Sequence, residues 1–440
     1  MIESERLRIV ANIFISFIGA GVLGLPYAFK EAGLMEGSLI MASVCYLSVT
    51  AMLLLMDCRA KIQQSPTILA SLKNGSTGGG SSVESTVGKK ARYANGKEYV
   101  ELGMQEEDPP ANRAVSRKPI TYSDVAFAAL GRFGRITVDA SLLVTQVGFC
   151  CAYLIFITEN LASFIDGLSQ SQWLLIILPP LFLLTLVPDL GKMAIFSLFA
   201  QVSNLFAFAV VFWFDFEHFH LASNEHRKEF SIQGFPFFFS VAIYCFEGAG
   251  MILSLEQSVS EKMRHTFRTS FVWTIIGVTS LYITFGVSGY LSYGSETKDI
   301  ITLNLPPGSG IDFAMMVKCC LCFSLFFTYP IMMFPVNALL EERCQHLLTS
   351  KLITATLIRV FLVSSTGFIV IVVPRFADLM ALVGASCCTV LAFILPGTCH
   401  MIMFAGSLSK RDYIMDYVLI VTGVIGAIIG TLDALANITS

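Results

Sequence analysis

Eleven long runs almost free of charged residues punctuate the chain, near residues 8–30, 38–57, 136–162, 173–188, 191–214, 234–256, 270–293, 311–334, 354–373, 377–396 and 414–435. Crossing the roughly 30 Å hydrocarbon core of a bilayer takes about 20 apolar residues in a helix. The runs are continuous rather than alternating, and backbone groups in lipid must find partners within their own segment, so the pattern predicts transmembrane helices and not barrel strands. The expected fold class is an all-α polytopic membrane protein with eleven transmembrane helices. The first run is not read as a cleavable signal, because Glu3 and Glu5 accompany Arg6 and Arg8 ahead of it and it continues through glycines to Pro26.

Between the runs the organisation is uneven. Residues 1–57 hold helices 1 and 2, and 58–120 form a long loop with a Gly/Ser stretch from Gly75 to Ser82, mixed charge, then Pro109 and Pro110. Its core, 62–119, has the composition of a disordered linker and is the one stretch suited to a cytoplasmic adaptor. Tyr99-Val100-Glu101-Leu102 within it fits a tyrosine-based sorting pattern. Residues 121–214 comprise a short amphipathic helix at the inner surface, 121–130, and helices 3–5. The loop 215–233 carries His218, His220 and His226, residues 234–396 helices 6–10, and 397–440 a short loop and helix 11. Those histidines beside Asp215, Glu217, Glu225 and Glu229 read as a solvated polar loop, with a pH-responsive surface as the sharper alternative.

Composition agrees with the membrane reading. Hydrophobic side chains make up 55% and charged ones 14%, with a mean hydropathy of +0.69, against about 25% charged in soluble proteins. A net charge of −3 provides no basic field for nucleic acid, which excludes that class of partner. All but six of the 29 Lys and Arg residues fall on one side if the N-terminus is cytoplasmic, the exceptions being Lys30, Arg227, Lys228, Lys298, Lys318 and Arg375. The expected orientation is therefore N-terminus inside, C-terminus outside or luminal.

Two patches that disfavour helix sit near mid-depth in otherwise apolar runs: Gly19-Ala20-Gly21-Val22-Leu23-Gly24-Leu25-Pro26 in the first, and Phe246-Glu247-Gly248-Ala249-Gly250 in the sixth. The two spans are five apart and run in opposite directions. That is the pattern of an inverted-repeat secondary transporter, with spans 1–5 and 6–10 as repeats and helices 1 and 6 discontinuous. A half-helix N-terminus offers unpaired N–H groups to a carboxylate, and a half-helix C-terminus offers carbonyls to an ammonium. A zwitterionic amino acid matches both ends. The plainer alternative is close helix packing through small residues.

With these patches the chain resembles the amino acid/auxin permease family of the amino acid–polyamine–organocation superfamily, and within it the proton-coupled and vacuolar amino acid transporter branches. The resemblance rests on Gly19 to Pro26 with the following Tyr27 to Gly33, Gln146 to Tyr153, Phe246 to Gly250 with Leu255-Glu256, and Thr328-Tyr329-Pro330. It implies a five-plus-five, LeuT-like inverted-repeat fold with an accessory eleventh helix, moving amino acids by alternating access. It implies that Gly19, Ala20, Gly21, Val22 and Gly24 cradle the substrate carboxylate, that Phe246, Gly248 and Gly250 flank the ammonium, and that Tyr153 is a wall residue. The long second loop departs from the family pattern.

Glu247 is the candidate for proton coupling, since a carboxylate at mid-depth is costly and by default marks function; the structural alternative is a permanent cap on the unwound backbone beside it. Glu159 and Asp57, near span ends, read as structural. Sodium coupling is the other mechanism, with Asn12, Ser16, Ser324 and Thr328 as oxygen donors between spans 1 and 8. Hydroxyls on helices also bond the carbonyl one turn back. No cofactor beyond a coupling proton or sodium ion is expected, the substrate is expected to be a small neutral amino acid, and no enzyme motif is present. An amino-acid receptor signalling through 62–119 is the competing function. Plasma and vacuolar or lysosomal membranes fit equally well.

Overall fold

The computed structural model describes residues 2–76, 119–165, 167–186, 190–218, 227–260, 263–306, 312–344 and 351–439. Their regular structure is entirely helical. The first run is divided between α1 (Ile2–Phe17) and α2 (Leu25–Ala32), joined through a 3₁₀ turn, Ala20–Gly24. Then follow α3 (Leu34–Gln64), α4 (Pro66–Ser76), α5 (Tyr122–Phe164), α6 (Gln170–Thr185) and α7 (Leu190–His218). The sixth run is again divided, into α8 (Phe235–Cys245) and α9 (Ala249–Ser258), and α10 (Arg264–Tyr293), α11 (Phe313–Cys344) and α12 (Lys351–Val372) follow. The tenth comprises α13 (Phe376–Val383), two π-helical turns (Gly384–Cys388 and Val390–Ile394) and α14 (Leu395–Met403), and α15 (Lys410–Thr439) is last.

All eleven runs contribute helix, and about ten of them reach membrane length. Among the described residues nine helices have membrane length, and the first pair, bent by 52°, makes a tenth. The remaining run, α6, has 16 residues, or about 24 Å at 1.5 Å per residue. The sequence explains the shortfall: Pro188, the last residue of the apolar run, disfavours helix at the residue before it. The short helix expected over 121–130 runs directly into the third span. Thr121 and Asp124 form a capping box for α5, and Gly131, at φ 65°, breaks the first two turns from the span. That first segment does not lie free on a surface. Tyr122, Val125 and Ala126 are buried, and the Tyr122 hydroxyl donates to the Leu391 carbonyl at 2.9 Å.

Contacts between chain-distant ends establish two faces of the bundle. On the face carrying the N-terminus, Ser260 Oγ donates to Glu5 (3.1 Å), Lys61 Nζ to the Met403 carbonyl (2.6 Å), and Arg268 pairs with Asp57 (2.6 Å). Asp57 is thus an ion-pair partner at a span end, a structural placement. On the opposite face, Lys30 Nζ donates to the Thr297 carbonyl (3.1 Å), and the N–H groups of Leu34, Met35 and Glu36 at the start of α3 donate to the carbonyls of Lys228 and Glu229. Strip-like outer surfaces of α7, α12 and α15 remain apolar, with Trp213 at 72% and Phe361 at 67% exposure. Helices that are apolar both inward and outward belong in lipid.

The broken helices are central: α2 packs on α8 and α10, α1 on α10, and α8 on α3, α13 and α15. Glycine permits the tightest of these approaches. A Cβ on Gly384 would lie 2.0 Å from the Ser240 carbonyl oxygen, whereas one on Gly277 would meet nothing within 4 Å. Gly384→Ala should therefore lower thermal stability in detergent by the equivalent of about 1–3 kcal/mol, while Gly277→Ala leaves the melting temperature unchanged or slightly higher; fluorescence-monitored melting of the two variants checks this.

Candidate functional site

The site begins where two helices stop. After Phe17 the chain leaves the helix at Ile18 and Gly19, with Gly19 extended (φ −120°, ψ −175°), and re-enters through the turn Ala20–Gly24. In the sixth span, α8 ends at Cys245 and α9 starts at Ala249. Each glycine in a helix interior costs about 1 kcal/mol relative to alanine, so these patches are the weakest places in their spans. They also let the two breaks meet. A Cβ on Gly21 would lie 3.0 Å from the Tyr244 ring, and one on Gly248 2.5 Å from the Phe17 ring.

A cavity of about 60 Å³ lies at this crossing, lined by Ser16, Phe17, Gly19, Ala20, Gly21, Val22, Phe149, Tyr153, Tyr244, Cys245, Glu247, Met251, Tyr282 and Met332. One water needs about 10–15 Å³ on this measure. The space therefore suits roughly four to six heavy atoms, the size of glycine or alanine. Gly19 has no side-chain cap beside it, so the first N–H groups of the turn it precedes are donors without an intrahelical partner. The Glu247 carboxylate faces the N–H groups of Gly250 and Ala249 in the first turn of α9, and its Oε2 is buried without a hydrogen-bond partner. One helix N-terminus thus already has a carboxylate, and the other is open to one.

The sequence-derived site is only partly assembled around this cavity. Gly19, Ala20, Gly21, Val22, Tyr153 and Glu247 line it. Gly24 instead packs against Phe376 and Met380, Gly248 against Phe17, and Phe246 is buried with its ring 5.5 Å from that of Tyr282. Gly250 contributes its N–H to Glu247. These four shape the break without facing its space. Of the sodium candidates, the three hydroxyls donate to helix carbonyls: Ser16 Oγ to Asn12 O (2.7 Å), Thr328 Oγ1 to Ser324 O (2.8 Å) and Ser324 Oγ to Ala200 O (3.5 Å). α1 packs chiefly on α10, and α11 chiefly on α7 and α5. Glu159 sits apart from the cavity, with a buried Oε2 that has no hydrogen-bond partner.

Sequence reasoning missed the aromatic wall. Phe149 and Tyr244 pack edge to face at 4.8 Å, and Tyr282 stands across from them. No local signal separates an aromatic on a cavity wall from one in a core. Tyr99-Val100-Glu101-Leu102, His220 and His226 lie outside the described residues, as do 77–118 of the adaptor segment and the side chain of His218.

The two sides of the cavity differ in burial. Toward the face opposite the N-terminus, Leu23, Leu25, Ile300, Ile301, Phe376 and Met380 are all buried. The loop there is held by Asp299, whose carboxyl faces the N–H groups of Phe376 and Ile300 and is pushed above the usual carboxylate range by burial, partly offset by those donors and Arg375. Toward the N-terminal face, Glu5, Arg8, Asn12 and Ser16 form a helical stripe on α1 that is exposed or half-buried, and Gly19 at its inner end is exposed.

An apolar helical bundle with a small cavity where two broken spans cross defines an integral membrane protein. The family described as "Transmembrane amino acid transporter protein" matches residues 4–94 and 110–436, and the chain belongs to that family, among transporters rather than enzymes. It is 31% identical to amino acid transporter ANT1 of Arabidopsis thaliana over 99% of this chain and 93% of that one. It is 32% identical to amino acid transporter AVT3C of the same plant over 99% and 92%. A solved Na+-coupled sialic acid symporter in a substrate-bound outward-open state aligns over 99% of this chain and 97% of its own, at 10% identity and a TM-score of 0.46.

Gly19 and Gly21 separate space for a ligand from space for packing. A Cβ on Gly19 meets nothing within 4 Å, unlike one on Gly21. Gly19→Ala should melt like the wild type yet bind amino acid at least tenfold more weakly, whereas Gly21→Val should lose both binding and several degrees of melting temperature. Parallel melting and radioligand binding on purified protein read both effects.

Proposed function

We propose that the protein is a secondary active transporter of amino acids, with small neutral ones as substrates, working by proton-coupled alternating access. The observation carrying this reading is the meeting of two broken spans at a cavity of about 60 Å³ with open helix-end donors and a lone carboxylate. The substrate carboxylate sits at the N–H groups following Gly19, and its ammonium at the carbonyl ends of α1 and α8. Phe149, Tyr244 and Tyr153 bound the side chain, which keeps it small. Spans 1–5 and 6–10 act as inverted repeats, α6 completes the count of eleven spans with help from neighbouring helices, and the N-terminus is cytoplasmic.

Glu247 carries the coupling proton. One of its oxygens is buried without a hydrogen-bond partner, and the carboxylate faces backbone donors at a helix terminus, so a change in its charge alters the end of α9 directly. The relatives' names, amino acid transporters throughout, support the substrate class.

The test is uptake of labelled glycine, alanine and serine into proteoliposomes under an imposed pH gradient, with and without sodium. Gradient-driven uptake should appear without sodium and fall at least tenfold in Glu247→Gln, while exchange of internal for external amino acid persists in that variant. Uptake that needs sodium would remove Glu247 from the coupling role. Binding without flux would favour a receptor.

A further inference from the structure

The hydroxyl of Tyr282 stands where the carbonyl ends of both broken spans converge. Tyr282 projects from α10 and is 1% exposed. Its Oη lies 2.5 Å from the carbonyl oxygen of Phe17, the last residue of α1, and 3.4 Å from that of Cys245, the last residue of α8. Carbonyls in the last turn of a helix have no intrahelical partner and sit at the negative end of its dipole. Here they are buried within the protein, where an unpaired polar group is costly. A phenol carries a single proton, so it donates fully to one carbonyl at a time; the short contact to Phe17 and the long one to Cys245 match that limit.

We propose that Tyr282 is an internal stand-in for the substrate ammonium. Its hydroxyl partners the carbonyl ends of α1 and α8 while the site is empty and yields them when an amino acid arrives. This rests on the transport reading above and adds a requirement to it. An alternating-access carrier must return empty to complete net transport, with the same two helix ends buried and no ammonium to satisfy them. Tyr282 supplies that donor from a third helix, and its ring, packed 5.5 Å from that of Phe246, holds the hydroxyl between the two breaks. Tyr282 is therefore a positioning residue for the empty return step, and it competes with substrate rather than recruiting it.

The experiment compares wild type and Tyr282→Phe in proteoliposomes by two assays on the same preparation. One is net uptake of labelled alanine into vesicles without internal amino acid, and the other is exchange against saturating internal alanine. Net uptake should fall about tenfold, exchange should stay within about twofold, and the Kd for alanine on purified protein should be unchanged or lower. Equal losses in both assays, a weaker Kd, or no change in either assay would overturn the proposal. Because a misfolded fraction lowers both assays together, the ratio is insensitive to yield. If the phenylalanine variant does not fold, 4-fluorophenylalanine at position 282 fills the hydroxyl's volume without a donor and should show the same split. A wild type that neither binds nor moves amino acid would instead fail the transport reading, and this inference with it.

Discussion

Backbone amides and carbonyls inside a bilayer must be partnered, and the architecture depends on where this protein leaves them open. Nearly every described span meets the requirement by being helix throughout. Spans one and six do not, and they interrupt their ladders at the same depth and against each other. What would be a defect in a structural helix becomes a set of fixed dipoles pointing into one small space: donors after Gly19, acceptors at Phe17 and Cys245, and a carboxylate, Glu247, already at the start of α9. On the proposed reading these groups match the two charges of a zwitterion end for end, once the Tyr282 hydroxyl has yielded the two carbonyls.

The surroundings keep those ends open to a ligand and closed elsewhere. Side-chain-free positions bring the breaks together, with Gly21 against Tyr244 and Gly248 against Phe17. The far side is sealed by hydrophobic packing around Ile300, Ile301 and Phe376, while the N-terminal side is fastened by charge. There Arg59 and Glu256 pair at 3.3 Å with only 2% and 5% of their side chains exposed. A desolvated ion pair contributes little net stability but is strongly unfavourable to pull half apart. It joins α3 to α9, the half-helix that Glu247 caps, so movement of α9 and separation of that pair are mechanically linked.

The fold was legible because its signals are long. Runs of twenty apolar residues and two glycine patches five spans apart survive any local ambiguity, and both patches do break their helices. Length failed as a guide where proline intervened, at α6, whereas the short helix expected over 121–130 does end at a kink, at Gly131. The site was legible only along the backbone. Gly19 to Val22 could be identified because they abolish regular structure, but Gly24, Gly248 and Gly250 carry the same signature and serve packing or the cap on α9 instead. Tyr244, Phe149 and Tyr282 were invisible for the opposite reason: an aromatic residue in an apolar helix has the same appearance in sequence whether it faces a core or a cavity. Which it faces depends on contacts between spans distant in sequence.

The central claim, that the crossing of the two breaks binds both charges of an amino acid, is tested most directly by equilibrium binding to the purified protein. Alanine would be compared with alanine methyl ester, which lacks the carboxylate, and with N-acetylalanine, which lacks the ammonium. The account predicts that alanine binds and that each analogue is at least a hundredfold weaker, because each leaves one set of helix ends unpaired. An ester or an acetylated analogue that binds as tightly as alanine would contradict it.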